Sequence, residues 1–293
     1  MNEKAWVIAK NGLVGKDMVK YLEQNGILCT STTRSEVDVT NIESIREYCK
    51  KQKPTHIINC SANVNVDLAE KEEKHLAYLV NVKGVENLAW VAKEENIRLI
   101  HISTDYVFDG TKKSDYTEED QVNPINIYGL TKAEGEKNML KIYPEALSIR
   151  TASVFGAGKD GLITGVIKML ENEEEAKAII DQTSTPTYSK HIARALWDLR
   201  NQKGIFHFVN KGLASRFDLV EELMHLAKYY GKSIKCLRVR GVKSKEFGRA
   251  AKRPVRSVLD TQKAEKLFLW KIPTWQEALR EYLVEIQWIK KER

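Results

Sequence analysis

Short, continuously apolar segments alternate with longer amphipathic ones through the first half of the chain, and this constrains the fold more than any other feature. AWVIA (5–9), ILCTST (27–32), THIINCSA (55–62), IRLIHIST (97–104) and ALSIRTASVFG (146–156) read as strands. Between them, LVGKDMVKYLEQNG (13–26), NIESIREYCKKQK (41–53), a long segment at 75–95 and INIYGLTKAEGEK (125–137) read as helices. Strands that lack polar alternation are buried on both faces, and such connections are long enough to carry a helix across a sheet. The expected class is therefore α/β, a doubly wound parallel-sheet Rossmann fold. Gly26 suits a helix C-cap, Asp38 and Thr40 offer N-caps, and Pro54 stops the helix before it.

Beyond about residue 158 the alternation loosens. Strands are expected near 176–182 and 204–210, both returning to the sheet, with helices at 216–231 and 274–293. The expected division is a dinucleotide-binding domain over 1–158 and mainly a smaller lobe over 159–293. Hydrophobic residues make up 42% of the 293 positions, enough for a sizeable core, and no apolar run approaches the ~20 residues of a membrane span. Nothing at the start resembles a signal peptide. Cys29, Cys49, Cys60 and Cys236 are scattered without a CxxC pair, the usage of a reducing cytoplasm and not of a zinc site. No metal is expected: the acidic stretch Glu171, Glu173, Glu174 and Glu175 reads as a solvated helix end.

The net charge of +7 is concentrated, with ten Lys or Arg and one acid (Glu246) between Lys232 and Arg256. Phe247 is the single aromatic there, which argues against nucleic acid and leaves a phosphate-binding lobe as the favoured reading.

Four places could carry chemistry. Ala9, Gly12 and Gly15 occupy the first strand-to-helix turn, where a pyrophosphate meets a helix N-terminus. The second strand ends in TSTTR (30–34), with hydroxyls at Thr32, a cation at Arg34 and no acid. That suits a ribose 2′-phosphate and favours NADPH over NADH, which stays open. Ser103, Thr104 and Asp105 end the fourth strand, at the carboxyl edge where ligands bind. Tyr128 and Lys132 lie one turn apart on the next helix. Its Ile127, Leu130 and Thr131 are expected inward, and Lys132, Glu134, Glu136 and Lys137 outward. A tyrosine could protonate the alkoxide formed by hydride attack on a carbonyl. A neighbouring ammonium would lower its pKa from about 10, and Thr104 would polarise the carbonyl.

With these residues in place, the chain resembles the dTDP-4-dehydrorhamnose reductase family of extended short-chain dehydrogenases/reductases. The resemblance covers nearly the whole length through HISTDYVFDGT (101–111), NPINIYGLTKAEGEK (123–137), DQTSTPTY (181–188), GIFHFVN (204–210), KRPVRSVLDTQKAEKL (252–267) and PTWQEALREYL (273–283). It implies reduction of the C4 ketone of dTDP-4-dehydro-β-L-rhamnose, with Thr104, Tyr128 and Lys132 as the catalytic residues. It also implies a cofactor held by Asn11, Gly12, Leu13, Asp38, Val39, Ser61, Ala62 and Asn63, besides Thr32 and Arg34. The C-terminal part becomes a substrate-binding lobe, with Thr104, Asp105, Ser153, Arg249 and Arg253 facing the nucleotide sugar. A cytoplasmic enzyme without nucleic-acid or membrane partners is expected, and a homodimer is allowed. Three sites, four residues in all, depart from the family pattern. Ala9 replaces a glycine, Ser153 replaces a tryptophan, and Arg216-Phe217 replaces a tryptophan-tyrosine pair. The last two leave open a different nucleotide keto-sugar. They also leave open a non-catalytic role like that of the methionine adenosyltransferase β subunit, which shares the fold and the Tyr-x-x-x-Lys spacing.

Overall fold

The computed structural model describes residues 3–156 and 161–290. Six parallel strands form the central sheet: β1 (Lys4–Ile8), β2 (Leu28–Thr32), β3 (His56–Asn59), β4 (Arg98–Thr104), β5 (Leu147–Thr151) and β6 (Gly204–His207), in the order β6-β5-β4-β3-β1-β2. Consecutive side chains of β1 point to opposite faces and enter different cores. Ala5 and Val7 pack with Met18, Leu22, Ile192 and Leu196. Trp6 and Ile8 pack with Ile45, Leu88 and Met139. Both faces of the strand are dry, which is why it lacks polar alternation.

The crossovers are α1 (Leu13–Gln24), α2 (Ile42–Gln52), α3 (Gly84–Glu94) and α4 (Ile127–Ile142), with α5 (Ser189–Asp198) preceding β6. A short helix, Lys74–Tyr78, runs through a π turn, Leu79–Lys83, into α3. Asn41 caps α2, accepting from the N–H groups of Glu43 and Ser44; Asp38, expected there, instead accepts from Thr40 at 2.9 Å. Asn126 caps α4 through a 2.7 Å bond from Gly129.

Two expectations fail here. The segment near 176–182 does not return to the sheet. Its strand, Glu175–Ile179, pairs in parallel with Arg238–Val242 instead. The β5 edge that it would need is taken by β6, and Ala176 and Ala178 are buried in the lobe core with Leu170, Leu223 and Leu279. On α4, Leu130, Lys132 and Glu136 also face opposite to expectation, while Thr131 is buried and Lys137 exposed as expected. Leu130 is 47% exposed, whereas Lys132 and Glu136 are buried at 1% and 2%. A face of glycines sets this packing: a Cβ at Gly129 would lie 2.1 Å from the Tyr106 carbonyl, and one at Gly135 2.0 Å from that of Asn81. Bare helix backbone therefore meets its neighbours, and the long side chains between the glycines are carried inward. The boundary expected at 158 falls outside the described residues, as do residues 291–293 of the last expected helix; within the described residues that helix spans Trp275–Glu285 and stops at the Ile286 C-cap, short of the expected end.

Candidate active site

The β1–α1 turn makes one end of the site. Ala9 adopts φ 62°, the left-handed region in which a methyl costs roughly 1–2 kcal/mol. The N–H of Gly12 bonds back to the Ala9 carbonyl at 2.9 Å. A Cβ at Gly15 would sit 2.3 Å from that same oxygen, so the turn closes only over glycine. Gly12 offers no side-chain cap, which leaves the first N–H groups of α1 facing a cavity. Such a terminus binds anions.

That cavity, about 640 Å³, runs over the carboxyl ends of β1, β3, β4 and β5. Gly12, Leu13, Arg34, Asp38, Val39, Ser61, Ala62, Asn63, Thr104, Asp105, Tyr128, Lys132 and Ser153 all line it. Asn11 lines a shallow neighbouring recess with Arg34 and Asp38. Thr32 does not belong to this set: it is 2% exposed, and its hydroxyl accepts from the Trp6 indole at 2.9 Å. A side chain on the last residue of a strand can point to either face, and here it points into the core. Arg34 lies 3.8 Å from Asp38, so an acid does stand beside it, four residues on.

At the other end, Thr104 closes β4 and its hydroxyl donates to Asp105 at 3.0 Å. Asp105 also accepts from Ser257 at 2.5 Å, and burial raises its carboxyl to about 6. Tyr106 meets the Tyr128 ring edge-on, centroids 5.9 Å apart. Burial pushes the Tyr128 phenol well above its usual value, against a lowering contribution from the Thr104 hydroxyl. The net effect on Tyr128 is upward, against the lowering expected of a lysine neighbour. The Lys132 ammonium donates to the Ile102 carbonyl at 2.6 Å, and burial brings its pKa down to about 7.

A second recess of about 360 Å³ adjoins the first across Tyr106, Ser153 and Arg216, and is lined by Arg249 and Arg253. Arg253 pairs with Asp67 at 2.7 Å. Arg249 rests over the Phe247 ring at 5.4 Å. Ser153 has φ 44°, and its hydroxyl is 2.5 Å from that of Ser184. Its backbone turn ends β5 and starts Val154–Phe155, which pairs with Thr187–Tyr188, so the strand expected over 146–156 is broken in two.

Residues that the sequence did not single out complete the site. Asn81, on the π turn, holds the backbone of Asn63 from both sides, at 2.9 and 3.1 Å, and donates to Thr131 at 3.1 Å. His101 and Asn59 stand behind Lys132. Only the unusual density of polar residues in otherwise apolar β3 and β4 could have signalled the last two.

This cradle of glycine turn, strand ends and Tyr-Lys helix has many relatives. Residues 4–288 match the model of the RmlD substrate binding domain family. A dTDP-4-dehydrorhamnose reductase of Aggregatibacter actinomycetemcomitans is 32% identical over 94% of this chain and 96% of its own. The crystal structure of a dTDP-4-dehydrorhamnose reductase from Clostridium acetobutylicum superimposes with a TM-score of 0.90 at 34% identity, covering 97% of this chain and 99% of that one. That of Bacillus anthracis, in complex with NADP, gives 0.91 at 29% identity, covering 97% of this chain and 100% of its own. The chain therefore belongs to the RmlD substrate binding domain family.

Proposed function

We propose that this protein is an NADPH-dependent reductase of a nucleotide-linked 4-keto-6-deoxyhexose, taking dTDP-4-dehydro-β-L-rhamnose to dTDP-L-rhamnose. The observation that carries this reading is the single continuous cavity that joins the uncapped N-terminus of α1 to Thr104, Tyr128 and Lys132. The relatives above are named for this reaction, and one was crystallised with NADP.

The glycine turn and open helix end fit a dinucleotide pyrophosphate, with Asn11, Gly12 and Leu13 as its holders. Arg34 would meet a 2′-phosphate, Asp38 and Val39 the adenine side, and Ser61, Ala62 and Asn63 the nicotinamide side. The cofactor, when bound, supplies a hydride. This chain's own part is to hold the ketone and give it a proton. Thr104 donates a hydrogen bond to the substrate oxygen, Tyr128 gives its phenolic proton to the forming alkoxide, and Lys132 in its charged form stabilises the phenolate left behind. Arg249 and Arg253, which line the second recess, suit the diphosphate through charge-assisted bonds. Asp105 and Ser153 face the sugar.

The test is NADPH consumption on adding dTDP-4-dehydro-β-L-rhamnose, with Tyr128→Phe alongside. Turnover that falls at least ~100-fold in the variant supports the reading, because removing a general acid costs that much or more. A folded protein that binds NADPH tightly and turns nothing over points either to a different nucleotide keto-sugar or to the second reading, a binding subunit. Ser153 in place of the family's tryptophan favours the binding-subunit alternative, and co-elution with a partner enzyme would identify it.

A further inference from the structure

Lys132 has a neighbour that the reduction chemistry does not use. Its Nζ lies 3.0 Å from Nε2 of His101. The other ring nitrogen, Nδ1, is 3.0 Å from Nδ2 of Asn59. The orientation of that amide is settled by a backbone group. Asn59 Oδ1 accepts from the N–H of Ser61 at 3.0 Å and from the Ser61 hydroxyl at 2.6 Å. A backbone N–H can only donate, so the oxygen faces Ser61 and the NH₂ faces His101.

Nδ1 must then accept, and a neutral imidazole carries its proton on Nε2, aimed at Lys132. An ammonium has three donors and no acceptor, whereas a neutral amine has a lone pair. Only the neutral amine can accept from Nε2–H while donating to Ile102. His101 and Lys132 are 0% and 1% exposed, so water does not relieve a mismatch of two donors.

We propose that Asn59 and His101 form a tautomer lock behind Lys132, which holds its amine neutral until ligand binding charges it. Both are positioning residues; they act through the lysine and touch no reacting atom. The lysine's role rests on the reductase reading, but the lock itself does not. The other groups facing Lys132 are few. Glu136 lies on its own helix but is engaged by Arg150 and Ser148. Cys60 follows β3 and stays a thiol, its pKa pushed by burial to about 12. Tyr128 is one turn back. Burial acts in the same direction as the lock on both members, lowering Lys132 to about 7 and His101 well below the usual histidine value. The consequence is proton uptake. Ribose hydroxyls offer acceptors that turn Nζ away from Nε2–H of His101, so a dinucleotide draws a proton from the buffer on to Nζ.

Three measurements test this. Long-range ¹H–¹⁵N spectra of histidine-labelled enzyme alone, at about pH 8, read the tautomer of His101, assigned with His101→Gln. A neutral ring protonated at Nε2 is expected; a proton on Nδ1, or a charged ring, overturns the proposal. Calorimetry of NADP⁺ binding in two buffers of different ionisation enthalpy should show proton uptake at that pH, and its absence overturns the proposal. Asn59→Asp replaces the amide donor with an acceptor, which moves the proton to Nδ1 and lets Nε2 accept from the ammonium. The tautomer should flip, and the midpoint in the pH dependence of NADP⁺ affinity should rise by about one unit, a tenfold change in proton affinity. An unchanged midpoint in a folded variant overturns the proposal. If Asn59→Asp does not fold, the two measurements on the parent decide. None of the three needs a keto-sugar, so failure of the lock and failure of the reductase reading are separable.

Discussion

Glu136 and Arg150 form an ion pair with side chains only 3% and 2% exposed, between α4 and β5. The guanidinium meets the carboxylate through Nη2 at 2.5 Å and Nε at 3.2 Å, and Ser148 adds a bond at 2.8 Å. The remaining surroundings of Arg150 are the Phe108 ring, 5.1 Å away, and His207 Nε2 at 3.4 Å. His207 has its pKa lowered to about 3 by burial and by Arg150 itself, and an imidazole is neutral or cationic, so it supplies no counter-charge. Glu136→Ala therefore leaves a buried, uncompensated cation and should destabilise by about 3–5 kcal/mol. The side-chain exposures are so low that screening by solvent gives no discount. At about 2 °C per kcal/mol for a domain of this size, Tm should fall by roughly 6–10 °C. Urea unfolding followed by far-ultraviolet circular dichroism measures the change. The paired substitution Glu136→Leu with Arg150→Met should recover much of it, because no charge is then left buried. A single variant within about 1 kcal/mol of the parent would refute the reasoning, since it would mean that Arg150 reaches water or another partner.

Other outcomes follow from the same geometry. Ala9→Gly should stabilise by up to about 1 kcal/mol in urea titrations, because relief of the left-handed strain exceeds the added freedom of the unfolded chain. Gly15→Ala places a methyl 2.3 Å from the Ala9 carbonyl, so fluorescence titration should find NADPH affinity down by at least about tenfold. Asp105 has a folded pKa of about 6, above the ~3.9 of an unfolded aspartate, so its contribution is full below pH ~4 and is lost as pH rises through 6. Asp105→Asn should flatten that decline, worth about 2–3 kcal/mol between pH 4 and 7, in denaturation curves run across the range. Arg253→Gln removes the partner of Asp67 at the edge of the second recess; KM for the nucleotide sugar should rise about tenfold or more with kcat little changed.

The doubly wound sheet was legible because burial on both faces leaves short, wholly apolar runs that alternate with helix-length amphipathic segments: β1 is apolar at every position from Ala5 to Ile8, and the structure sends alternate residues into two different cores. The first turn was legible because close backbone approach admits so few residues at Gly15. Local chemistry of this kind acts between near neighbours, and a sequence states it directly. What the tertiary structure decided depends on which elements meet. Lys132 and Glu136 look like solvent-facing helix residues, and only the glycine contacts with Tyr106 and Asn81 turn them inward. Thr32 sits in a polar strand end, yet the position of the Trp6 indole claims its hydroxyl. Glu175–Ile179 has strand character, but β6 already occupies the edge it would join, and Arg238–Val242 becomes its partner. Asn59, His101 and Lys132 lie on three separate elements, 42 and 31 residues apart, and their hydrogen bonds exist only once β3, β4 and α4 are stacked. Sequence alone determined the strands, helices and turn that make a dinucleotide cradle. The fold alone determined the protonation of the lysine at its centre, because burial and donor–acceptor matching are properties of neighbours that the chain brings together from a distance.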